Sequence, residues 1–186
     1  MDVKVITRVY QQLREALFHL TELEAGKLKG EIELDEAYFG GHRKGKRGRA
    51  AAGKSVVFGL LERDGRVYTK VVEHVTAEEL MRHIRAHTRK GSVYYTDAFR
   101  GYLSLKRFGK HHTVNHSKSM VDRRTKNQIN GIEGFWSYAK HILYNYRGVS
   151  KYHFPMYLKE IEYRFNHRGE NIFKHFLNIY FGYVSP

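Results

Sequence analysis

The sequence contains no cysteine, and this absence excludes several kinds of site. Without Cys among 186 residues, disulfide scaffolds, thiolate zinc sites, iron–sulfur clusters and cysteine nucleophiles are excluded. Only two prolines are present, and 41% of the residues are apolar, which favours a folded chain with a core over a disordered one. No apolar run approaches the ~20 residues that span a bilayer, and residues 1–7 lack the apolar segment of a signal peptide. We therefore expect a soluble cytoplasmic protein.

Acidic residues are scarce relative to basic ones. The chain has 33 Lys and Arg against 19 Asp and Glu, a formal charge of +14 with a pI near 9.9. Because basic side chains neutralise phosphates and release counterions, a polyanionic partner is expected, either nucleic acid or an acidic membrane surface. Membrane binding needs one basic amphipathic helix or a polybasic anchor, whereas here the positive charge runs from Arg43 to Arg168. The composition favours nucleic acid.

Apolar periodicity predicts a mixture of strands and helices. Residues 3–24 have helical spacing, and residues 30–39 alternate as in a half-buried strand, with Asp35 on the face opposite Ile32 and Leu34. The later expected elements are strands 55–62, 66–73, 92–96 and 111–116 and helices 76–91, 98–108, 128–144 and 154–166. An Asp-Gly turn joins the second and third strands as a hairpin. The order predicts an α/β fold with a mixed sheet, because the later strands need crossover connections.

Three acidic residues occupy unusual places in this basic chain. Asp35 lies within the first predicted strand, Asp97 follows the fourth, and Glu133 lies in a late helix beside Phe135 and Trp136. Carboxylates are hard ligands that suit Mg²⁺ or Mn²⁺ and leave coordination positions for phosphates and water. A basic surface around a few such acids is typical of a metal-dependent enzyme that acts on DNA.

Each acid also has a plain structural interpretation. Asp97 could cap the helix that follows it, Asp35 could face solvent, and Glu133 could pair with Lys140 on the helix surface. Taken singly, these interpretations are the simpler ones. The joint occurrence of all three acids at such places favours a site.

Three sequence blocks resemble the catalytic blocks of bacterial insertion-sequence transposases of the DDE type. They are GEIELDEAYFGG at 30–41, YTDAFRGY at 95–102 and NGIEGFWSYAK at 130–140. The resemblance covers about residues 28–168 and implies a ribonuclease H-like fold, shared with retroviral integrases, with a mixed five-stranded sheet flanked by helices. We expect a short helical arm in residues 1–27, the catalytic domain in 28–168 and a C-terminal tail or closing helix in 169–186.

The resemblance also implies a metal site and a reaction. Asp35, Asp97 and Glu133 would bind Mg²⁺ or Mn²⁺, as two ions, for cleavage at a transposon end and transfer of the resulting 3′ hydroxyl to target DNA. The 35 residues between Asp97 and Glu133 resemble the integrase-type spacing. Asn130, one helical turn before Glu133, is an alternative third ligand, although Glu133 alone supplies a charge. Lys140 lies two turns beyond Glu133 on the same face and resembles a DNA-contacting residue.

Further residues are assigned supporting roles. Glu36 points to the other face of an ideal strand and is expected to support the site, and Trp136 is expected either to pack or to contact DNA. A basic glycine-rich loop at 40–54 and a segment at 118–126 are expected to face DNA through the residues Arg43, Lys44, Lys46, Arg47, Arg123, Arg124 and Lys126.

Partners and alternatives follow from the same resemblance. It implies a bacterial, nucleoid-associated protein that binds transposon ends and target DNA as a homo-oligomer, because two DNA ends are brought together, and that does not bind membranes. Two alternatives stay open. The chain could be a ribonuclease H-like nuclease that cuts without joining, or a non-catalytic DNA-binding protein derived from a transposase.

Overall fold

The computed structural model describes residues 2–40, 54–63, 65–114, 128–146 and 148–184. The elements are α1 (Val3–Leu23), β1 (Glu31–Phe39), β2 (Ser55–Glu62), β3 (Val67–Val72), α2 (Ala77–His87), β4 (Val93–Thr96), a 3₁₀ helix (Arg100–Arg107), β5 (Lys110–Thr113), α3 (Asn130–Tyr144), α4 (Phe154–Asn166) and α5 (Ile172–Val184). They belong to two compact units, a sheet unit of Lys27–Gly148 and a helical unit of Met1–Gly26 with Val149–Pro186. Among the described helices, none combines the length and apolarity needed to cross a bilayer.

The sheet unit is built on five strands in the order β3-β2-β1-β4-β5. The first three strands are antiparallel neighbours, whereas β4 runs parallel to β1 and β5 runs parallel to β4. The antiparallel part follows from short connections, while the parallel part needs crossovers, which run through α2 and the 3₁₀ helix. The predicted α/β fold with a mixed five-stranded sheet flanked by helices is confirmed.

The helices largely begin where the sequence predicts. Thr76 is the N-cap of α2, and its hydroxyl accepts a hydrogen bond from the Glu79 backbone N–H at 3.2 Å, as a capping box requires. The Glu79 carboxylate accepts instead from the backbone N–H of His74 at 3.2 Å. The helix expected at 98–108 is a 3₁₀ helix over Arg100–Arg107.

Strand β1 is buried on both faces, so the prediction of a half-buried strand is wrong. Ile32 and Leu34 are fully buried on one face, and Glu33, Ala37 and Phe39 are only 3%, 4% and 6% exposed on the other. The second face is covered because α3 packs against β1. The buried Glu33 on this face therefore marks a specific interaction rather than contact with water.

This interaction fixes the start of α3 on the sheet. The N-cap of α3 is Ile129, which provides no side-chain cap. The buried Glu33 carboxylate accepts from the Ile132 backbone N–H at 2.9 Å and from Arg63 Nε at 2.9 Å. A carboxylate at a helix N-terminus satisfies a free N–H and interacts favourably with the helix dipole. Glu33 thus substitutes for the missing side-chain cap. It binds the N–H of Ile132, the residue directly before Glu133.

Gly131 permits this close packing of helix on sheet. A Cβ at that position would lie 2.6 Å from Leu61 Cδ2 and 2.9 Å from Glu33 Oε2. Arg63 completes the cluster from the hairpin, because its guanidinium also bonds Glu31 at 2.7 Å and the Gln128 carbonyl oxygen at 2.6 Å. The residues just before α3 are therefore tied to the turn after β2.

Glu33→Ala should destabilise the protein by about 2 kcal/mol, because it leaves a buried helix N–H and part of a buried ion pair without a partner. Glu31→Ala is the matched control, because Glu31 is also paired with Arg63 but its own side chain is 48% exposed. Loss of this exposed ion pair should cost less than about 1 kcal/mol. Urea unfolding of both variants measures the difference. Equal losses would contradict the capping role of Glu33.

The helical unit has its own core. Leu13 and Leu17 of α1 pack with Tyr163 of α4, and α5 adds Phe176 to this cluster. Arg14 forms a buried ion pair with Glu160 at 2.8 Å. Residues 149–168, which we expected within the catalytic domain, group with the terminal helices in this structure. The functional division into arm, catalytic domain and tail stays a prediction.

Candidate active site

Three acids that lie far apart in sequence line one cavity of about 1010 Å³ in the sheet unit. Asp35 comes from β1, Asp97 follows the end of β4, and Glu133 lies in the first turn of α3. In the parallel pairing of β1 with β4, Glu33 lies opposite Tyr95. Two residues further along this register are Asp35 and Asp97, so adjacent parallel strands deliver both acids to the same edge. The sheet thus brings the three predicted acids together.

The acids of this cavity act on one another electrostatically. Burial raises the pKa of Asp35 from 3.8 to about 6, and the charges of Asp97 and Glu133 raise it too. Hydrogen bonds from the Glu36 backbone and from Trp136 act in the opposite direction. A buried carboxyl with acidic neighbours favours its neutral form, because its charge is poorly solvated and repelled. A cation bound at this site would therefore stabilise the ionised form of Asp35.

Trp136 holds Asp35 in place. Its indole Nε1–H donates to Asp35 Oδ2 at 3.1 Å, and the residue is only 4% exposed. The rings of Phe39 and Phe135 pack against it, with ring centroids 5.9 Å and 5.2 Å away. Of the two roles that the sequence left open for Trp136, the structure shows packing, together with a hydrogen bond to Asp35 that the sequence did not indicate.

Gly59 makes room for the indole and was missed by the sequence reasoning. It lies opposite Asp35 in the pairing of β1 with β2, and a Cβ there would lie 2.5 Å from Trp136 Cζ2 and 2.6 Å from Cη2. The available signal was a glycine inside the apolar strand SVVFGLLE, since such a glycine often marks a close approach. Strand β2 therefore shapes the site without contributing a polar group.

Gly59→Ala should displace the Trp136 ring and destabilise the protein by about 1 to 3 kcal/mol, as overpacking of a tight core does. Because the chain has one Trp, its fluorescence reports the displacement directly, and we expect a red shift of the emission. Gly134→Ala in α3 is the control, since a Cβ there meets nothing within 4 Å and Ala favours helix. Unchanged emission in Gly59→Ala would contradict the packing argument.

Asp97 uses one carboxylate oxygen locally. Its Oδ1 accepts from the Phe99 backbone N–H at 3.0 Å, so it orders the turn before the 3₁₀ helix. The N-cap position of that helix is Phe99, and the simple interpretation of Asp97 as the N-cap residue is not what the structure shows.

Glu36 contributes to the same cavity and is held by a buried tyrosine. The Tyr102 hydroxyl donates a hydrogen bond to Glu36 Oε1, and Tyr102 is 1% exposed. Burial, and then the Glu36 charge, raise the pKa of Tyr102 well above its ordinary value, so the hydroxyl keeps the proton that it donates. Sequence reasoning quoted Tyr102 within a block but gave it no role. The supporting role of Glu36 stays a prediction.

Two lysines line the cavity beside the acids, Lys140 from α3 and Lys54 just before β2. Lys140 was predicted, and its ammonium lies 5.8 Å from the centre of the Phe39 ring. Lys54 was missed because it lies at the end of a glycine-rich stretch of sequence without apolar periodicity. Asn130 is exposed at the start of α3, donates to Gln128 Oε1 at 3.2 Å, and is not among the residues that line this cavity.

The remaining predicted DNA-binding residues lie outside the described part of the chain. They are Arg43, Lys44, Lys46, Arg47, Arg123, Arg124 and Lys126. Their assignment stays a prediction from sequence.

Comparison with known proteins identifies the family. The ISXO2-like transposase domain matches residues 27–166, so the chain belongs to this family of insertion-sequence transposases of the DDE type. An uncharacterized transposase-like protein of Haemophilus influenzae is 43% identical over 103 residues, which are 54% of this chain and 81% of that protein.

Solved structures give a more distant similarity. The crystal structure of the Mos1 strand transfer complex aligns with a TM-score of 0.34 and 11% identity, over 96% of this chain and 62% of the Mos1 chain. A pre-cleavage Mos1 transpososome aligns with a TM-score of 0.36 and 10% identity, over 96% and 64%. The chain thus spans less than two thirds of the length of either Mos1 chain.

Proposed function

We propose that this transposase cleaves the 3′ end of an insertion sequence and transfers that end to target DNA, at the cavity lined by Asp35, Asp97 and Glu133. The observation that carries the proposal is the convergence of these three acids, from β1, the end of β4 and α3, on one cavity. Membership of the transposase family supports the reaction class. The two steps share one chemistry, since water and then a 3′ hydroxyl attack a phosphodiester.

The donor set fits Mg²⁺ or Mn²⁺, because oxygen ligands suit hard divalent cations. We propose that Asp35, Asp97 and Glu133 hold two such ions. Two bound cations supply Lewis-acid stabilisation of the attacking and leaving oxygens of an in-line displacement. Among the described residues, the donor atoms of this triad do not all lie within 4.8 Å of one another.

The chain's own residues prepare the site in three ways. Trp136 orients Asp35 through its indole N–H, and Glu33 anchors the helix turn that carries Glu133. Asp97 accepts the Phe99 N–H with Oδ1, which leaves Oδ2 to bind a ligand. Such supports matter because catalytic groups must be held in a productive geometry.

Lysines beside the acids would hold the DNA backbone. Lys54 and Lys140 line the cavity, and the formal charge of +14 favours phosphate binding over the whole domain. We propose that the basic residues at 43–47 and 123–126 extend this surface. We also propose a homo-oligomer, because strand transfer of an element requires two ends in one complex.

Lys140→Ala should weaken DNA binding and lower the slope of log affinity against log salt by about 1, the value expected for the loss of one phosphate contact. Lys90→Ala is a matched control. Lys90 is also exposed, but it precedes β4, so it lies at the opposite end of that strand from Asp97. Fluorescence anisotropy with duplex DNA between low and high salt measures both slopes. Equal slopes for the two variants would show that Lys140 does not contact DNA phosphates.

The test of the proposal is a cleavage and joining assay with Mg²⁺. The substrates are DNA segments that flank the coding sequence of this chain, together with a target plasmid. Cleavage followed by joined products supports the proposal. Cleavage without joining would identify a nuclease instead, and salt-dependent binding with neither product would identify a non-catalytic DNA-binding protein.

A further inference from the structure

A second cluster of metal-ligating side chains lies in the helical unit, apart from the three acids of the sheet unit. His167 is the C-cap of α4, Glu170 lies in the connection to α5, and His175 lies in the first turn of α5. Each side chain offers one donor atom, and these atoms all lie within 4.8 Å of one another. No role assigned above uses these residues.

The two imidazoles contact the same carboxylate, each through a different oxygen. His167 Nδ1 lies 2.9 Å from Glu170 Oε1, and His175 Nε2 lies 3.1 Å from Glu170 Oε2. In a tetrahedral zinc site, ligands about 2.0–2.1 Å from the metal lie roughly 3.3 Å from one another. The observed N···O separations are close to this value, and all three donor atoms lie within 4.8 Å of one another.

A buried tyrosine orients both imidazole rings. The Tyr163 hydroxyl lies 3.0 Å from His175 Nδ1, and the His167 ring stacks on the Tyr163 ring with centroids 4.1 Å apart. Tyr163 itself is 5% exposed and belongs to the core of the helical unit. When His175 Nδ1–H donates to this hydroxyl, Nε2 keeps its lone pair, which is how a supporting group fixes the tautomer of a metal-binding histidine.

The backbone around the cluster is also ordered by local bonds. The Glu170 backbone N–H donates to the His167 carbonyl oxygen at 2.9 Å, and the His175 N–H donates to the Asn171 carbonyl oxygen at 3.2 Å. Asn171 caps the start of α5 through a bond from the Lys174 N–H to its side chain at 3.1 Å. The donor positions are therefore set by the end of one helix and the start of the next.

We propose that His167, Glu170 and His175 bind a zinc-class transition-metal ion that cross-links the end of α4 to the start of α5. Two imidazoles and one carboxylate suit Zn²⁺, with water completing the shell, and are a poor donor set for Mg²⁺. The site is distinct from the three carboxylates of the sheet unit, which provide only oxygen ligands. A metal here would stabilise the helical hairpin of α4 and α5.

Zn²⁺ titration of the full-length, tag-free protein tests this site. Calorimetry is run in millimolar Mg²⁺, so that the acids of the sheet unit are supplied with their own cation. We expect one equivalent of Zn²⁺, lost in His167→Asn and in Glu170→Gln. Tyr163→Phe keeps the stacked ring and removes only the hydroxyl, so it should weaken Zn²⁺ binding about 10- to 100-fold, as loss of a supporting hydrogen bond does. His19→Asn, an exposed histidine of α1, should change nothing.

A second measurement does not depend on these variants folding well. Co²⁺ added to the wild-type protein should give the visible absorption of a tetrahedral site, and Zn²⁺ should slow hydrogen exchange in α5 while Mg²⁺ should not. Zn²⁺ binding that is equal in wild type, His167→Asn and Glu170→Gln would overturn the proposal, as would a wild-type protein that binds no Zn²⁺. Neither result bears on DNA cleavage at the sheet unit, which depends on Mg²⁺ and is assayed separately.

Discussion

Asp97→Asn should reduce Mg²⁺-dependent DNA cleavage and strand transfer by about 10³-fold or more while DNA binding is kept. The amide keeps the shape of the side chain and the oxygen that accepts from Phe99, but it removes a negative charge from a proposed metal ligand. A 10³-fold loss of rate corresponds to about 4 kcal/mol of lost transition-state stabilisation, because each tenfold change in rate equals about 1.36 kcal/mol. Single-turnover cleavage and anisotropy binding with the same DNA separate the two effects.

Two substitutions in α3 serve as a matched pair for this result. Glu133→Gln should be as inactive as Asp97→Asn, because Glu133 lines the cavity. Asn130→Ala should keep most of the activity, since Asn130 is exposed at the start of the helix and does not line the cavity. The opposite outcome, an active Glu133→Gln and an inactive Asn130→Ala, would make Asn130 the third ligand. Full cleavage by Asp97→Asn would contradict the whole site.

Asp35→Asn should stabilise the metal-free protein at pH 8 by about 3 kcal/mol. The pKa of Asp35 is about 6 in the folded protein against 3.8 ordinarily, so the folded state holds a proton that the unfolded chain releases between these values. Stability from this group is therefore present below pH 3.8 and is lost as pH rises through about 6. A difference of about two pKa units corresponds to about 3 kcal/mol, which the neutral amide recovers.

Urea unfolding in EDTA, followed by Trp136 fluorescence, measures this gain. Near pH 4 the variant and the wild type should differ by less than about 1 kcal/mol, because Asp35 is then neutral in the folded state and only partly ionised in the unfolded chain, whose pKa of 3.8 lies close to this pH. Added Mg²⁺ should stabilise the wild type more than Asp35→Asn, because a ligand that binds only the folded state stabilises it. A variant that is no more stable than the wild type at pH 8 would show that Asp35 is not held in an unfavourable charged form.

The sequence predicted the sheet well because its strands carry short-range signals. The alternation over residues 30–39 and the Asp-Gly turn of the hairpin depend on neighbouring residues, and both elements are present as β1 and the pair of β2 with β3. The three acids were found because acids are rare in a chain of charge +14 and because their blocks resemble a known family. The convergence of Asp35 and Asp97 then follows from the parallel pairing of β1 with β4, and the packing of α3 against β1 adds Glu133.

The sequence did not predict how those acids are supported, because the supports are contacts between distant residues. In the sequence, Glu33 is an ordinary polar strand residue. In the structure, α3 covers it, and it accepts a hydrogen bond from Ile132, which lies 99 positions away. Gly59 reads as a weak point in a strand until the Trp136 ring lies over it. The burial of both faces of β1 has the same origin, since alternation records only local polarity. Tertiary packing gives these residues their roles.

Anomalous diffraction from a crystal of the full chain soaked in Mn²⁺ tests the central claim most directly. We predict Mn²⁺ between the carboxyl groups of Asp35, Asp97 and Glu133, bound through their oxygens at about 2.0–2.3 Å, with Trp136 still donating to Asp35. Mn²⁺ bound only at other side chains, with these three carboxyl groups left without metal, would contradict the account.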